Sequence, residues 1–352
     1  MKTPLKIVIV RYEVLSSSQN APDNAGGDID KYLDNFCAWQ EKRLKQETRS
    51  KRWDHAIMLT GLDLYKEMED GRKNKKVLGL AWVNGMCKPH YSCTLNEGKS
   101  FEAAFVIAHE MGHSLGILHD GRNNNCDGNR FIMSERTGPG KIHWSACSNA
   151  YLEAFLRKGH GSCLENAAIP RAELDFAKTN RLAGEQYSPD LQCKLALGPL
   201  YRAYHSSAQP YNDICRELWC YYGGWVTPAH PALEGSACGE ANHKCFQGTC
   251  EDRKETQQSP ATTERTREQI NFSKSSNKRR VTVVRPLRTR NRKRSGKVLR
   301  ESSLKNLASQ SNAQYTPKKA ILPPRNKSVI EHIRGVFRTL SDGVESFFSK
   351  LG

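Results

Sequence analysis

With 352 residues the chain can build one substantial core and a smaller module beside it. Its 12 cysteines are more than a cytosolic protein usually carries, and the even count suits a disulfide framework in an oxidising compartment. The net charge of +17 sits mostly in the tail: residues 251–352 hold 24 Lys+Arg against 9 Asp+Glu, leaving 30 against 28 in residues 1–250. The part able to fold is therefore near neutral, and no stretch approaches the apolar length of a transmembrane helix.

Near the N-terminus, Lys6–Arg11 is too short an apolar run for a signal peptide, and no small-residue cleavage site follows it. Ile7–Leu15, β-branched and apolar, reads as a buried strand. Asp28–Gln46 places Tyr32, Leu33, Phe36, Cys37, Gln40 and Leu44 on one helical face. Ala56–Leu59 and Leu78–Val83 are the next strands, the latter followed by the turn Asn84-Gly85. A helix is expected from a Ser100 N-cap to about Leu115, with Ala104, Phe105, Ala108 and Met111 as its apolar face. Tyr151–Lys158 is a short helix ended by Gly159. Alternating strands and helices predict an α/β (α+β) domain over residues 1–168.

Beyond about Pro170 the texture changes. Residues 190–250 hold six cysteines with many Gly, Pro and Tyr and little periodicity, which predicts a small disulfide-rich module over 169–252. Residues 253–327 are Gln-, Thr-, Ser-, Lys- and Arg-rich with few aromatics, a disordered basic tail by composition whose densest run is Arg288–Arg294. Residues 328–352 regain helical spacing through Val329, Ile333, Val336, Phe337, Leu340, Val344, Phe347 and Phe348. That amphipathic helix suits a membrane surface or a packing partner equally.

The chemistry is concentrated in residues 109–120, H-E-M-G-H-S-L-G-I-L-H-D. At 100° per residue, His109 and His113 project from one side of a helix a turn apart, so both imidazoles reach one metal. Gly116 ends the helix where a positive φ is affordable, and the turn brings His119 back as a third nitrogen ligand. Three ligands leave the open position that a catalytic zinc needs and a structural zinc lacks. Glu110 sits beside the ligands, placed to act as general base toward a zinc-activated water. The His-Glu-x-x-His core alone is a moderate signal; Gly116, His119 and Asp120 at fixed spacing make it specific.

This motif, followed by Phe131-Ile-Met-Ser134, resembles a metzincin with its Met-turn. Within that clan the chain resembles the ADAMTS proteases, adamalysin-like enzymes with thrombospondin motifs. The resemblance covers about residues 5–250 and includes N-F-C-A-W-Q (35–40), L-G-L-A-W-V-N-G-M-C-K-P-H-Y-S-C (78–93) and I-H-W-S-A-C-S (142–148). It continues through Q-Y-S-P-D-L-Q-C-K-L-A-L-G-P (186–199), D-I-C-R-E-L-W-C (213–220) and H-P-A-L-E-G-S-A-C-G (230–239).

The resemblance implies roles for particular residues. Met133 would form a hydrophobic floor beneath the zinc, and Asp120 would orient the local structure through hydrogen bonds. Leu78–Val83, Gly79 and Leu80 in particular, would be the edge strand that takes an extended substrate. The loops around Met133–Lys141 would shape the pocket for the side chain after the scissile bond. Family pairing implies Cys37–Cys93, Cys87–Cys163 and Cys126–Cys147 in the catalytic domain, then Cys193–Cys220, Cys215–Cys245 and Cys238–Cys250 in a disintegrin-like cysteine-rich module. A calcium site is implied as well, with Asp54 and the Cys163 carbonyl at matching positions and Asn166 where an acid is usual.

The chain also departs from the family pattern. Ile7–Leu15 resembles the second strand of the catalytic domain, so an N-terminally truncated domain lacking its first strand and helix, and lacking a prodomain, is expected. No thrombospondin W-x-x-W pattern follows Cys250. The expected function is a secreted zinc metalloendopeptidase acting on extracellular or matrix proteins; the alternative is a catalytically inactive, matrix- or partner-binding fragment. The basic tail suits a heparin-like polyanion. Its lack of interleaved aromatics argues against nucleic acid.

Overall fold

The computed structural model describes residues 5–15, 20–136, 138–166, 174, 181–240, 242–252 and, for backbone only, 299–302. The expected tail and C-terminal helix otherwise lie outside the described residues.

Helix α1 (Ile29–Gln46) begins where the Asp28 side chain accepts a hydrogen bond from the Lys31 amide, and it buries Ile29, Tyr32, Leu33, Phe36, Cys37 and Gln40. Leu44, expected on the same face, is only half-buried. Strand β1 (Ala56–Thr60) follows, then a two-residue hairpin of β2 (Lys66–Glu67) and β3 (Lys73–Asn74), then β4 (Gly79–Val83) and β5 (Cys93–Glu97). The main sheet has the order β1-β5-β4-β11, where β11 is Leu299–Ser302. The β1–β5 pair is parallel, whereas β5–β4 and β4–β11 are antiparallel. Helix α1 covers one face, sharing a core with Leu80, Cys93 and Leu95. Helix α2 (Ala103–Ser114) also packs on β4 and β5.

One expectation is corrected here. Ile7–Leu15 is not a strand: it joins no sheet, and its residues are at most half-buried. Leu5 and Ile7 instead rest on the cluster around Met133, while Leu15 reaches the α1 core, so the segment straps two clusters without a ladder partner. Within the tail, Leu299–Ser302 forms a four-residue strand on the free side of β4.

Helix α2 starts two residues later than expected, with Ser100 capping only a preceding turn through the Glu102 amide. It has no single apolar face. Ala103, Ala104, Val106, Ile107 and Ala108 are buried while Phe105 and Met111 are only half-buried, because both sheet and cysteine-rich region enclose the helix.

Helix α3 (Ala146–Arg157) is capped by Ser145 and runs five residues further upstream than the spacing suggested. The cysteine-rich region follows with α4 (Ala183–Gln186), α5 (Pro189–Leu197), the sheet β6 (Arg202–Ala203), β7 (Trp219–Tyr222) and β8 (Trp225–Pro228), and the hairpin β9 (His243–Phe246)–β10 (Thr249–Asp252). It belongs to the same compact unit as the residues before it. Ala183 and Leu233 share a core with Phe101, Ala104, Ile107 and Ala108 of the α2 region. Gly184 lies against the backbone of Ser236 and Leu233, where a Cβ would come within 2.1 Å of the Ser236 nitrogen.

All six disulfides are formed between the pairs that the resemblance implies, and no described cysteine is free. The bridge from Cys37 to Cys93 ties α1 to β5, and that from Cys87 to Cys163 closes a separation of 76 residues. Such long closures restrict the unfolded chain most, by about 4 kcal/mol each on loop-entropy grounds.

One buried acid makes this packing pH-sensitive. Glu217 is 5% exposed, and burial, with a smaller contribution from Glu102, pushes its carboxyl up to about 8. The folded state therefore keeps a proton that the unfolded state releases near the ordinary Glu value. Stability is fully present below about pH 4.5 and declines as pH rises toward 8. Glu217→Gln should abolish that decline and raise stability at pH 7 by on the order of 2–3 kcal/mol. Urea denaturation of both proteins at pH 5, 7 and 8 checks this; parallel pH profiles would contradict it.

Candidate metal centre

The three histidines of residues 109–120 converge. His119 Nε2 lies 3.1 Å from His109 Nε2 and 3.2 Å from His113 Nε2, and all three residues are at most 1% exposed.

Local sequence explains this convergence. His109 and His113 sit one turn apart on α2. The helix then ends in a paired closure: the Gly116 amide donates to the His113 carbonyl and the Ile117 amide donates to the Gly112 carbonyl, with Gly116 at φ +84°. That is a Schellman ending, which needs a left-handed residue, and glycine takes that conformation at least cost. The reversed chain delivers His119. The Asn84 and Met86 amides donate to the carbonyls of His113 and Ser114, fastening the helix end to the turn after β4.

Proton positions follow from the partners. His109 Nδ1 is 2.8 Å from the Ile132 carbonyl, and His113 Nδ1 is 2.8 Å from the Ile117 carbonyl. A carbonyl only accepts, so each Nδ1 carries the proton and each Nε2 presents a lone pair to the centre. Burial holds His113 down to about 3 and His119 to about 4, and His109 well below its usual value, so all three rings are neutral at pH 7. Lone pairs packed this closely repel unless a cation lies between them. This donor set, neutral imidazole nitrogens with oriented Nδ1–H groups, fits zinc.

The surroundings complete the arrangement. Met133 is fully buried, and its sulfur would lie 2.7 Å from a Cβ placed at Gly112, directly beneath the helix turn between His109 and His113. The Met133 carbonyl accepts from the Asp120 amide, and the Asp120 carboxylate accepts a 2.6 Å hydrogen bond from Ser145 Oγ. Asp120 thus couples the loop after His119 to the Met133 turn and to the start of α3. Glu110 is fully buried, and a Cβ at Gly79 would stand 2.9 Å from its Cγ and 3.0 Å from Oε1. Gly79 therefore lets β4 press against the carboxylate of Glu110.

Sequence reasoning missed the Ile117 and Ile132 carbonyls, Ser145 and the Asn84 anchor. Backbone oxygens leave no trace in residue type, and Ser145 reads as an ordinary helix cap. The loop described over Met133–Arg136 and Gly138–Lys141 is braced from the cysteine-rich side. The Gly140 amide donates to the Arg216 carbonyl at 2.9 Å, and Gly248 abuts Ile142.

Asp54 and Asn166, expected at a calcium site, do meet: Asn166 Nδ2 donates to both Asp54 carboxylate oxygens, at 3.0 and 3.2 Å. Among the described residues, the other groupings of His, Cys, Asp and Glu with metal-like spacing rest on disulfide-bonded cysteines, which offer no thiolate.

Comparison with known proteins agrees with this centre. Residues 2–168 match the reprolysin (M12B) family zinc metalloprotease, and residues 183–251 match ADAMTS cysteine-rich domain 2. The chain joins a reprolysin-type metalloprotease domain to a cysteine-rich domain of the ADAMTS type. It is 38% identical over 256 residues to A disintegrin and metalloproteinase with thrombospondin motifs adt-1 of Caenorhabditis elegans, covering 70% of this chain and 17% of that protein. It is 35% identical over 268 residues to A disintegrin and metalloproteinase with thrombospondin motifs 6 of Homo sapiens, covering 70% of this chain and 23% of the relative. The Mus musculus protein with thrombospondin motifs 18 is 38% identical over 228 residues, 63% of this chain and 18% of the relative. The chain thus spans less than a quarter of the length of these relatives. It carries a zinc metalloendopeptidase domain of the ADAMTS type, and no described helix is long and apolar enough to cross a membrane.

Proposed function

We propose that this chain is an active, exported endopeptidase in which His109, His113 and His119 hold zinc and Glu110 is the general base. The observation that carries the proposal is the convergence of three imidazoles, with His119 Nε2 3.1 Å from His109 Nε2 and 3.2 Å from His113 Nε2, and each of the two helix histidines oriented by a carbonyl on its Nδ1. When bound there, zinc supplies a Lewis acid that polarises a peptide carbonyl and brings the pKa of water to about 7. Glu110 accepts the proton of the attacking water on a carboxylate oxygen and returns it to the departing amine. Its buried position beside β4 strengthens that exchange, because little bulk water competes. Met133 and Asp120 hold the ligands in place without touching substrate.

Six disulfides favour an oxidising, extracellular setting. Matrix proteins are the substrate class proposed, with the excess of Lys and Arg in residues 251–352 drawing the chain toward heparin-like polyanions. The test is hydrolysis of a general protein substrate by the full chain. A chelator should reduce the rate at least a hundredfold, and added zinc should restore it. Hydrolysis that persists through metal removal would refute the proposal.

A further inference from the structure

The free side of β4 is taken by the chain's own tail. Strand β5 pairs with β4 on one side, from Gly79 opposite Asn96 to Ala81 opposite Thr94. On the other side β11 runs antiparallel, with Leu299 opposite Val83, Arg300 opposite Trp82, Glu301 opposite Ala81 and Ser302 opposite Leu80. The Gly79 end of β4 is the end that touches Glu110. The C-terminal end of β11 therefore lies nearest the carboxylate proposed as general base, and an extended peptide added to this edge would follow the same line.

We propose that Leu299–Ser302 is a tethered occupant of the substrate edge, which an extended substrate must displace. The proposal rests on the protease reading above. An exposed strand edge offers unpaired amides and carbonyls to any extended segment, with main-chain bonds supplying the affinity. Two segments cannot use one edge together. A tether of tens of residues sets an effective concentration on the order of 1 mM, so weak pairing suffices to hold the tail in place. The consequence is competitive: substrate affinity falls while turnover of bound substrate stays the same.

Arg300→Pro and Glu301→Pro, made separately in the full chain, test this. Adjacent residues of an antiparallel strand alternate between hydrogen-bonded and non-bonded positions, so one of the two prolines removes an amide that donates to β4. In that variant, hydrogen exchange across Gly79–Val83 should quicken at least tenfold while exchange in α1 stays at the parent rate. KM for a short peptide substrate should fall at least threefold with kcat unchanged, and an added synthetic peptide spanning residues 297–304 should restore both. Parent-like exchange at Gly79–Val83 and parent-like KM in both variants would overturn the proposal. If no variant hydrolyses anything, the protease reading fails and exchange alone decides: loss of protection upholds the seated tail, and parent-like protection removes it.

Discussion

Glu110→Gln should lower kcat for peptide hydrolysis by about 10³-fold while the protein still binds zinc stoichiometrically. The substitution keeps size and shape, so the packing of Glu110 on Gly79 is preserved. What it removes is a carboxylate able to take a proton, and positioned general bases contribute roughly 10²–10⁴ in rate. Glu110 is not among the three converging nitrogens, so metal content should be untouched. Metal analysis and steady-state kinetics on the same preparation read both halves. A variant within tenfold of the parent rate would remove Glu110 from the mechanism. Loss of zinc together with activity would make it a structural support of the centre instead.

The second large effect is expected at Gly116. At φ +84° a Cβ would stand 2.5 Å from Asn84 Oδ1 and 3.1 Å from the Phe155 ring. Gly116→Ala thus adds left-handed backbone strain, about 1–2 kcal/mol, to displacement of the residue whose amide fastens the helix end. The expected loss is roughly 2–4 kcal/mol of stability, with zinc affinity down at least tenfold because His119 follows directly from this turn. Asn84→Gly in the same chain should recover the steric share and leave the strain. Denaturation midpoints and competition with a zinc indicator measure the two effects. Stability within 0.5 kcal/mol of the parent and unaltered zinc affinity would show that the turn does not position His119.

Some of the molecule was legible residue by residue. The α1 periodicity, the β1 and β4 runs and the whole ligand motif depend on spacing, which a chain carries openly. Strand β5 was not legible. Its Cys93-Thr-Leu-Asn-Glu97 has residues that strands disfavour, yet Thr94 and Asn96 are fully buried. Asn96 is accommodated because its side-chain amide faces Thr94 Oγ1 on the same strand and donates to the Met58 carbonyl, a contact that exists only once β1 lies parallel beside it. Ile7–Leu15 failed in the opposite sense. Its composition suits a strand, but strand formation needs a neighbour's free ladder, and this segment has none.

The sequence by itself determined the chemistry: three histidines, an acid and a glycine at intervals that one helix turn and one reversal convert into a zinc site. The pairing of its bridges was implied by the family resemblance and not by cysteine spacing, which leaves connectivity open. Only the tertiary structure decided which ring nitrogens face the centre, since that depends on the Ile117 and Ile132 carbonyls. It alone placed the cysteine-rich region against α2 and against the loop near Gly140. It alone set Leu299–Ser302 on the edge of β4. The physical reason is common to all three: local spacing is set by bonded geometry, whereas backbone acceptors, shared cores and strand edges are met only when distant segments compete for the same surface.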